Sequence, residues 1–240
     1  MNMNKPDFIV QDGLWQGRTL WDLYADAQTP FSWQKDLYNC AHDEGLTIFS
    51  SVFDRSAVDH LETLGCPAYK IASMEIVDTT LIEYATMTGK PVIISTGMAS
   101  TKEILEAHEA SDKKAAFLHC TSEYPATPEP ADLPRMVQLQ RLLAENIIGI
   151  SDHSKGSTVP IAATAIGAKI IEKHFGLLQG VKSEDDTFSL SATDFQRMAK
   201  RVKATWGAMQ SQPDHPNPTR QMRRSLYAAA DIQEGEILTE

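Results

Sequence analysis

Short runs of apolar and β-branched residues recur along the chain, and each is followed by a polar tip and then by a stretch of helical character. The runs occupy positions 46–53, 68–76, 91–97, 115–122, 146–153 and 168–175. Several of the stretches between them begin with a Ser or Thr suited to cap a helix and end at a Gly. Continuous apolar strands that alternate with helices are typical of a parallel sheet covered on both faces.

The near-regular spacing of these six βα units favours a (β/α) barrel over a doubly wound sheet. No G-x-G-x-x-G segment follows any of the runs, which argues against a dinucleotide-binding fold. The sequence therefore predicts an α/β fold of the (β/α)8 TIM-barrel type that is incomplete, with about six of the eight βα units.

The chain divides into four predicted regions. Residues 1–45 predict a Trp/Tyr-rich loop followed by a helix that Thr29 caps. Residues 46–209 contain the partial barrel and end in a helix. Residues 210–222 have the composition of a Pro/Asn-rich linker, and residues 223–240 carry strand, turn and strand signals.

Composition excludes several classes of protein. The net charge of −10, with no Lys/Arg cluster to offset it, argues against a nucleic-acid partner. No run approaches the roughly eighteen apolar residues of a membrane span, and the N-terminus lacks the pattern of a secretory signal. The three cysteines include no C-x-x-C pair, so neither a disulfide framework nor a cysteine zinc site is indicated. The predicted location is the cytoplasm.

Polar side chains are concentrated at the carboxyl ends of the predicted strands, where the chemistry of a barrel takes place. His153 and His174 end adjacent strands. Because neighbouring strands lie about 4.8 Å apart, the two imidazoles can bind one divalent metal and leave positions for water and substrate oxygens. The alternative is two unconnected histidines that cap strands by hydrogen bonds. Asp152 and Glu172 are either partners that orient a ring N–H or outward-facing strand residues.

Lys70 lies inside an apolar run, where a lysine is costly unless it meets an anion. Together with hydroxyl groups at the neighbouring strand ends, this cation predicts a small pocket that binds a phosphate or a carboxylate. The hydroxyl groups belong to Ser73, Ser95, Ser122 and Ser151. The alternative is that Lys70 extends to the rim and the serines only end the strands.

Three further positions are candidates for substrate contact. Glu75 shares a strand face with Ser73 and can act as an acid or base, or as a structural hydrogen-bond partner. Tyr124, in the loop after the fourth run, can contact a substrate or pack a turn before a proline. The acidic stretch after the last histidine either offers Asp185 or Asp186 to sugar hydroxyls or is a solvated loop.

The same residues lie in segments that resemble a known family. The segments are "FSSVFDRSAVDHLETLGCPAYKIASMEI", "VIISTGMAS", "LHCTSEYPA", "GISDHS", "IEKHF" and "DDTFSL". In this order they are similar to the sialic acid (N-acetylneuraminate) synthase family, enzymes that condense phosphoenolpyruvate with an N-acetylated amino sugar. The segments "LWQGRTLWDLYADAQTPFSWQKDL" and "CPAYKIAS" most resemble its pseudaminic acid synthase branch.

The resemblance implies a (β/α)8 barrel followed by a small antifreeze-like (SAF) domain, in a homodimer. It implies a divalent metal, Mn²⁺ or Mg²⁺, bound by His153 and His174. Glu75 matches the family's active-site glutamate, and Tyr124 and Asp185 match its sugar-contacting positions. The phosphoenolpyruvate contacts that the resemblance implies are Lys70, Ser73, Ser95, Ser151 and, in place of an asparagine of related synthases, Ser122.

The implied activity is the condensation of phosphoenolpyruvate with 2,4-diacetamido-2,4,6-trideoxy-altrose to give pseudaminic acid and phosphate. The alternatives are an N-acetylneuraminate or legionaminic acid synthase, and a non-catalytic barrel remnant that binds metal or a partner. Family members begin with a strand that ends in a glutamate and an "NHNG"-like loop, then a "KFQ" strand, and they extend beyond an "RPG"-like segment. None of these is found in this sequence. We therefore expect a synthase truncated at both ends, in which residues 223–240 are the start of the antifreeze-like domain.

Overall fold

In the residues that the structure describes, six parallel strands form a sheet in which each strand pairs with the next one along the chain. The computed structural model describes residues 8–11, 13–122, 126, 131–177, 183–210, 222–225 and 227–237. The strands are β1 (Ser50–Ser51), β2 (Tyr69–Ile71), β3 (Val92–Ser95), β4 (Ala116–Cys120), β5 (Ile148–Asp152) and β6 (Ile171–Lys173). Ser51 at one edge and His174 at the other line the same cavity, so the sheet curls into a half-barrel. The prediction of a partial barrel of the TIM type is confirmed.

Helices alternate with the strands, as the pattern of the sequence predicts. They are α1 (Leu20–Ala27), α2 (Phe31–Asp43), α3 (Arg55–Thr63), α4 (Thr79–Met87), α5 (Thr101–Ala110), α6 (Leu133–Leu142), α7 (Thr158–Ala165) and α8 (Ala192–Met209). Among the described residues, none of these helices has the length and apolar character needed to cross a membrane.

The helices that follow the first three strands begin at residues whose side chains cap them. Asp54 and Asp78 each accept a hydrogen bond at 2.9 Å from the backbone N–H three residues further along. Ser100 and Glu103 form a reciprocal capping box at the start of α5. Such contacts satisfy N–H groups that have no partner within the helix. They therefore set where each loop at the rim of the half-barrel ends.

The apolar core lies between the outer face of the sheet and the helices. In β2, Tyr69 and Ile71 are fully buried, whereas Lys70 between them lines the cavity inside the curl. This is the alternation that a strand imposes on successive side chains. Gly149 in β5 leaves no room for a side chain, since a Cβ atom there would lie 2.8 Å from the Cβ atom of Ile170. The sheet thus separates an apolar outer layer from a polar inner one.

The strands are shorter than the apolar runs that predict them. Of the run 68–76, only Tyr69–Ile71 is a strand, and Ser73–Glu75 form a 3₁₀ turn. The backbone N–H of Glu75 donates to the carbonyl of Ala72 at 3.1 Å. The prediction that Glu75 shares a strand face with Ser73 is therefore wrong, because side chains alternate between two faces only while the backbone stays extended.

The N-terminal region contains a helix, α1, where the sequence predicts a loop. The hydroxyl group of Thr19 accepts a hydrogen bond at 3.1 Å from a backbone N–H in its first turn. With only eight residues, α1 is too short for its apolar spacing to stand out from the surrounding aromatic residues. The next helix begins at Phe31, and its cap position is Pro30 rather than the predicted Thr29.

The chain divides into two units, Met1–Met209 and Gln210–Glu240. The described residues of the second unit contain a turn at 234–235 and no strand. The assignment of residues 210–222 to a linker and of residues 223–240 to the start of an antifreeze-like domain stays a prediction.

Candidate active site

A cavity of about 370 Å³ opens on the inner side of the curled sheet, at the carboxyl ends of the strands. Six residues that the sequence marks as candidates meet there: Lys70, Ser73, Ser95, Ser151, His153 and His174. The rest of the lining consists of Ser51, Ala72, Cys120, Glu172 and Lys173. Each of the six strands, or the segment directly after it, contributes to this lining. All six strands of the described sheet therefore take part in forming the cavity.

Lys70 is the buried cation of the cavity, with 6% of its surface exposed. Its Nζ atom donates to the Oγ atom of Ser95 at 2.8 Å and to the carbonyl of Ile71 at 3.0 Å. Burial lowers the pKa of Lys70, while the carboxylates of Glu172 and Glu75 oppose that effect. An ammonium group has three N–H donors, so the geometry leaves one for a bound anion.

Three of the four candidate serines line the cavity, and the fourth lies beside it. The Oγ atom of Ser73 accepts a hydrogen bond from the N–H of Gly97 at 3.1 Å. Ser122 is outside the lining, with its Oγ atom 3.8 Å from the Sγ atom of Cys120. Gly97 separates Ser73 from Ser122, and a Cβ atom at position 97 would overlap the Ser122 hydroxyl and lie 2.8 Å from that of Ser73. A larger residue at position 97 would therefore have to displace both hydroxyl groups.

Glu172 faces the cavity between Lys70 and Ser151. Its Oε1 atom accepts a hydrogen bond from the Ser151 hydroxyl at 2.6 Å, and its Oε2 atom lies 3.9 Å from the Nζ atom of Lys70. The outward-facing interpretation of Glu172 is therefore wrong. Asp152 does not line the cavity, and its carboxylate is paired with Lys173 at 2.6 Å.

Glu75 lies close to the cavity but is not part of its lining. Its Oε2 atom is buried and has no hydrogen-bond partner among the described residues. Burial raises the pKa of Glu75, and the cation of Lys70 counteracts the rise. A carboxyl group in such surroundings holds its proton at a higher pH than a solvated one and is suited to proton transfer.

The rings of His153 and His174 lie side by side, with centroids 5.1 Å apart. The Nδ1 atom of His153 lies 3.2 Å from the carbonyl oxygen of Thr121. The Sγ atom of Cys120 lies 3.8 Å from the same Nδ1 atom. Phe188 packs against both rings, with centroid distances of 6.3 and 4.8 Å. This packing restricts the rotation of the two imidazoles.

Asp185 belongs to the turn after β6 and approaches the second histidine. Its Oδ2 atom lies 3.3 Å from the Nδ1 atom of His174. Asp186 instead accepts hydrogen bonds from the N–H and hydroxyl groups of Ser183, at 2.9 and 2.7 Å. Of the two acidic candidates, the fold therefore brings Asp185 to the site. Tyr124 lies outside the described residues, and its contact with a sugar stays a prediction.

The two histidines fit a divalent metal held by two imidazoles. The carbonyl oxygen of Thr121 lies beside the Nδ1 atom of His153, and the carboxylate of Asp185 lies beside the Nδ1 atom of His174. Such neighbours orient the imidazole rings of metal-binding histidines. Among the residues that the structure describes, no group of three or more His, Cys, Asp or Glu is arranged to hold a metal. Two imidazoles fill only part of the coordination sphere of a divalent metal, so a metal held there would take its remaining ligands from substrate and water.

Besides Ala72, three lining residues with polar or ionisable side chains were not among the candidates from the sequence. Ser51 ends the first run, Cys120 ends β4, and Lys173 lies in "EKHF". Lys173 could have been identified from the sequence, since, like Lys70, it is a lysine within one of the predicted strands. No pattern distinguishes Ser51 from the serine before it, because a two-residue strand has no periodicity.

Comparison with known proteins identifies a family. The model of the NeuB family matches residues 1–213. The pseudaminic acid synthase of Helicobacter pylori is 40% identical over 249 aligned positions, which cover 100% of this chain and 73% of that protein. The N,N'-diacetyllegionaminic acid synthase of Campylobacter jejuni is 33% identical over 217 positions, which cover 86% of this chain and 65% of that protein.

A solved structure has the same fold. It is an N-acetylneuraminic acid (sialic acid) synthetase from Leptospira borgpetersenii, determined in complex with citrate. It superposes with a TM-score of 0.75 at 31% sequence identity, covering 84% of this chain and 71% of that one.

Proposed function

Because the chain belongs to the NeuB family and is an enzyme of the sialic acid synthase type, we propose that it condenses phosphoenolpyruvate with an N-acetylated amino sugar to give a nonulosonic acid and phosphate. One observation carries the proposal. A single cavity contains a buried cation, several hydroxyl groups and two adjacent imidazoles. These are the groups that an anionic phosphate ester, a metal and a sugar aldehyde require.

Phosphoenolpyruvate would bind against Lys70. The charge of −10 on the whole chain repels anions, so the binding must depend on local cations and donors. Lys70 supplies a desolvated ammonium group, whose hydrogen bonds to an anion are stronger than those of a solvated one. The hydroxyl donors proposed beside it are Ser73, Ser95, Ser122 and Ser151.

The reaction forms one carbon–carbon bond and one carbon–oxygen bond from water, and it breaks the carbon–oxygen bond to phosphate. The methylene carbon of phosphoenolpyruvate attacks the aldehyde carbon of the open-chain sugar, and water adds to the resulting cation at the enol carbon. The tetrahedral intermediate then expels inorganic phosphate. His153 and His174 would hold a divalent metal, Mn²⁺ or Mg²⁺, which supplies Lewis acidity when bound.

Glu75 is the proposed proton-transfer group. Its raised pKa allows it to carry a proton to the new hydroxyl group or to take one from the attacking water. Glu172 presents a second carboxylate to the cavity and lies closer to Lys70 and Ser151. Two carboxyl groups in different surroundings suit the separate donation and removal of protons.

The proposed sugar is 2,4-diacetamido-2,4,6-trideoxy-altrose, and the proposed product is pseudaminic acid. The 40% identity to a pseudaminic acid synthase, against 33% to a legionaminic acid synthase, supports this choice. Tyr124 and Asp185 are the proposed sugar contacts. A homodimer, with residues 223–240 belonging to an antifreeze-like domain, is part of the same proposal.

The test is phosphate release by the purified 240-residue chain. The chain is mixed with phosphoenolpyruvate, Mn²⁺ and one of three sugars: the trideoxy-altrose derivative, the legionaminic acid precursor or N-acetylmannosamine. We expect phosphate and a product of the condensed mass with the first sugar. Product from another sugar would reassign the substrate. If the chain neither turns over nor binds phosphoenolpyruvate in calorimetry, the proposal fails.

Metal binding separates an enzyme from a non-catalytic barrel remnant. Calorimetry with Mn²⁺ should show one site in the wild-type chain and a loss of affinity in His153→Ala and His174→Ala. Metal binding without any phosphate release would favour the remnant. Equal binding by the wild type and both variants would overturn the two-histidine site.

A further inference from the structure

Asp152 and Lys173 form a buried ion pair directly beside the two histidines. They are register partners in the β5–β6 pairing, and each one immediately precedes a histidine in the sequence. The Nζ atom of Lys173 lies 2.6 Å from the Oδ2 atom of Asp152, and their side chains are 0% and 3% exposed. The pair therefore joins the two strand ends from which His153 and His174 extend.

Both members of the pair also hold the backbone around His153. The Lys173 ammonium donates to the carbonyl oxygen of Ser154, and the Oδ1 atom of Asp152 accepts from the N–H of Ser154 at 2.9 Å. His153 thus lies between two residues that are both fixed to Lys173. The carbonyl of His153 itself accepts a hydrogen bond from the N–H of Ala126 at 3.2 Å.

A second link between the same two strands involves the cavity. Ser151 and Glu172 are the preceding register pair, and the Ser151 hydroxyl donates to the Glu172 carboxylate at 2.6 Å. Successive residues of a strand point to opposite faces. Polar contacts therefore link the two strand ends at two successive positions. Asp152 and Lys173 directly precede the histidines, and Ser151 and Glu172 lie one residue earlier.

Stability alone does not account for an ion pair in this place. The cost of removing two charges from water largely cancels their attraction, and apolar pairs of similar size are often as stabilising. A buried pair does, however, impose a specific geometry, because any shift leaves an unpaired charge in the interior. That property matters where two rings must stay at a fixed separation.

We propose that Asp152 and Lys173 are a positioning pair, which holds the ends of β5 and β6 so that the rings of His153 and His174 stay close enough to bind one divalent cation. This inference rests on the two-histidine site of the proposed function. Neither residue of the pair contacts the cation; each acts through the neighbouring backbone.

The test replaces the pair by apolar side chains of similar size, in the double variant Asp152→Leu/Lys173→Met. The single variant Asp152→Asn removes the negative charge while keeping the shape of the side chain. The control is Lys102→Met/Glu106→Leu, which removes an exposed ion pair within α5, outside the cavity lining. Each variant is compared with the wild type in melting midpoint, in Mn²⁺ affinity and in the metal-free state by NMR.

The NMR readout is the nuclear Overhauser effect between the ring protons of His153 and His174, whose centroids lie 5.1 Å apart. We expect this effect to weaken or vanish in the double variant while its melting midpoint stays near that of the wild type. The dissociation constant for Mn²⁺ should rise roughly ten- to hundredfold, as for other residues that orient metal ligands. The control variant should change neither the ring-to-ring effect nor the dissociation constant for Mn²⁺.

An unchanged ring-to-ring effect and an unchanged Mn²⁺ affinity in the double variant would overturn the inference. If the double variant does not fold, the same two readouts on Asp152→Asn decide the question. A wild-type chain that shows the ring-to-ring effect but binds no Mn²⁺ would refute the proposed metal site. The metal-free NMR comparison would then still decide whether the pair positions the rings.

Discussion

The ammonium group of Lys70 donates a hydrogen bond to the hydroxyl group of Ser95 at 2.8 Å, from β2 to the neighbouring β3. The pair lies on the inner face of the half-barrel, where Lys70 is 6% exposed. A hydroxyl group is a weak partner for a buried charge, and the carboxylate of Glu172, 3.9 Å from the Nζ atom, is beyond hydrogen-bond distance. The cavity therefore contains a cation whose desolvation is only partly compensated and which an anion would stabilise.

The substitution Lys70→Met should weaken the binding of phosphoenolpyruvate. Losing a hydrogen bond to a charged group costs about 1.5–3 kcal/mol, which is roughly a ten- to hundredfold rise in the dissociation constant. Titration calorimetry with phosphoenolpyruvate measures this dissociation constant. Lys90→Met is the control, because Lys90 pairs with Glu62 outside the cavity lining. Equal affinity in Lys70→Met and the wild type would contradict the anion site.

The substitution Glu75→Gln should change how stability depends on pH. Burial raises the pKa of Glu75 in the folded chain, so the folded state keeps a proton that the unfolded state releases near pH 4.3, roughly the usual value for Glu. The free energy of unfolding therefore falls as the pH rises from that value through the raised pKa. Glu75→Gln should raise the melting midpoint near pH 8 and have little effect near pH 4.

Melting curves across this pH range check the prediction for Glu75. The control is Glu83→Gln, on an exposed position of α4, which should leave the pH profile as it is. If Glu75→Gln shifted the midpoint equally at both ends of the pH range, the buried carboxyl group would not be the source of the dependence.

Arg18 connects the N-terminal region to the turn that carries Asp185. Its guanidinium group lies 2.5 Å from Glu184 and 2.6 Å from Asp26. We expect Arg18→Gln to raise the KM for the amino sugar slightly, because solvent-exposed ion pairs of this kind contribute little to stability. The KM for phosphoenolpyruvate should not change. Steady-state kinetics on both substrates measures this.

Arg197→Gln is the matched control for Arg18, since it removes an exposed ion pair within α8. Its KM values should equal those of the wild type. A change in the phosphoenolpyruvate KM of Arg18→Gln, with the sugar KM unaffected, would show that the turn does not act on the sugar.

The edges of the half-barrel should cause self-association. In the described residues, β1 pairs only with β2 and β6 only with β5, and unpaired edges promote contact between chains. Leu46 and Phe53 flank β1 and are 67% and 64% exposed. Light scattering should show a mass above that of the monomer, and Leu46→Lys/Phe53→Lys should lower it. A monomer at all concentrations would contradict this prediction.

Part of the site could be predicted because its signals are local in the sequence. Lys70 is an unexpected charge within an apolar run, and His153 and His174 end adjacent runs. Parallel strands in sequential order bring such ends together without any further information. The residues alone left Asp185, Asp186 and a solvated loop as alternatives, and only the resemblance favoured Asp185, because a residue in a turn has no periodicity to indicate where it points.

By itself the sequence determined the alternation of strands and helices, the order of the strands and the edge of the sheet at which polar groups gather, since all three follow from residue periodicity and chain connectivity. Only the tertiary structure decided that Glu172 faces the cavity while Asp152 pairs with Lys173, and that the strand β2 ends before Glu75. These outcomes depend on strand register and on where the backbone leaves the extended conformation. Both are set by contacts between segments that are distant in the sequence, which no local pattern records.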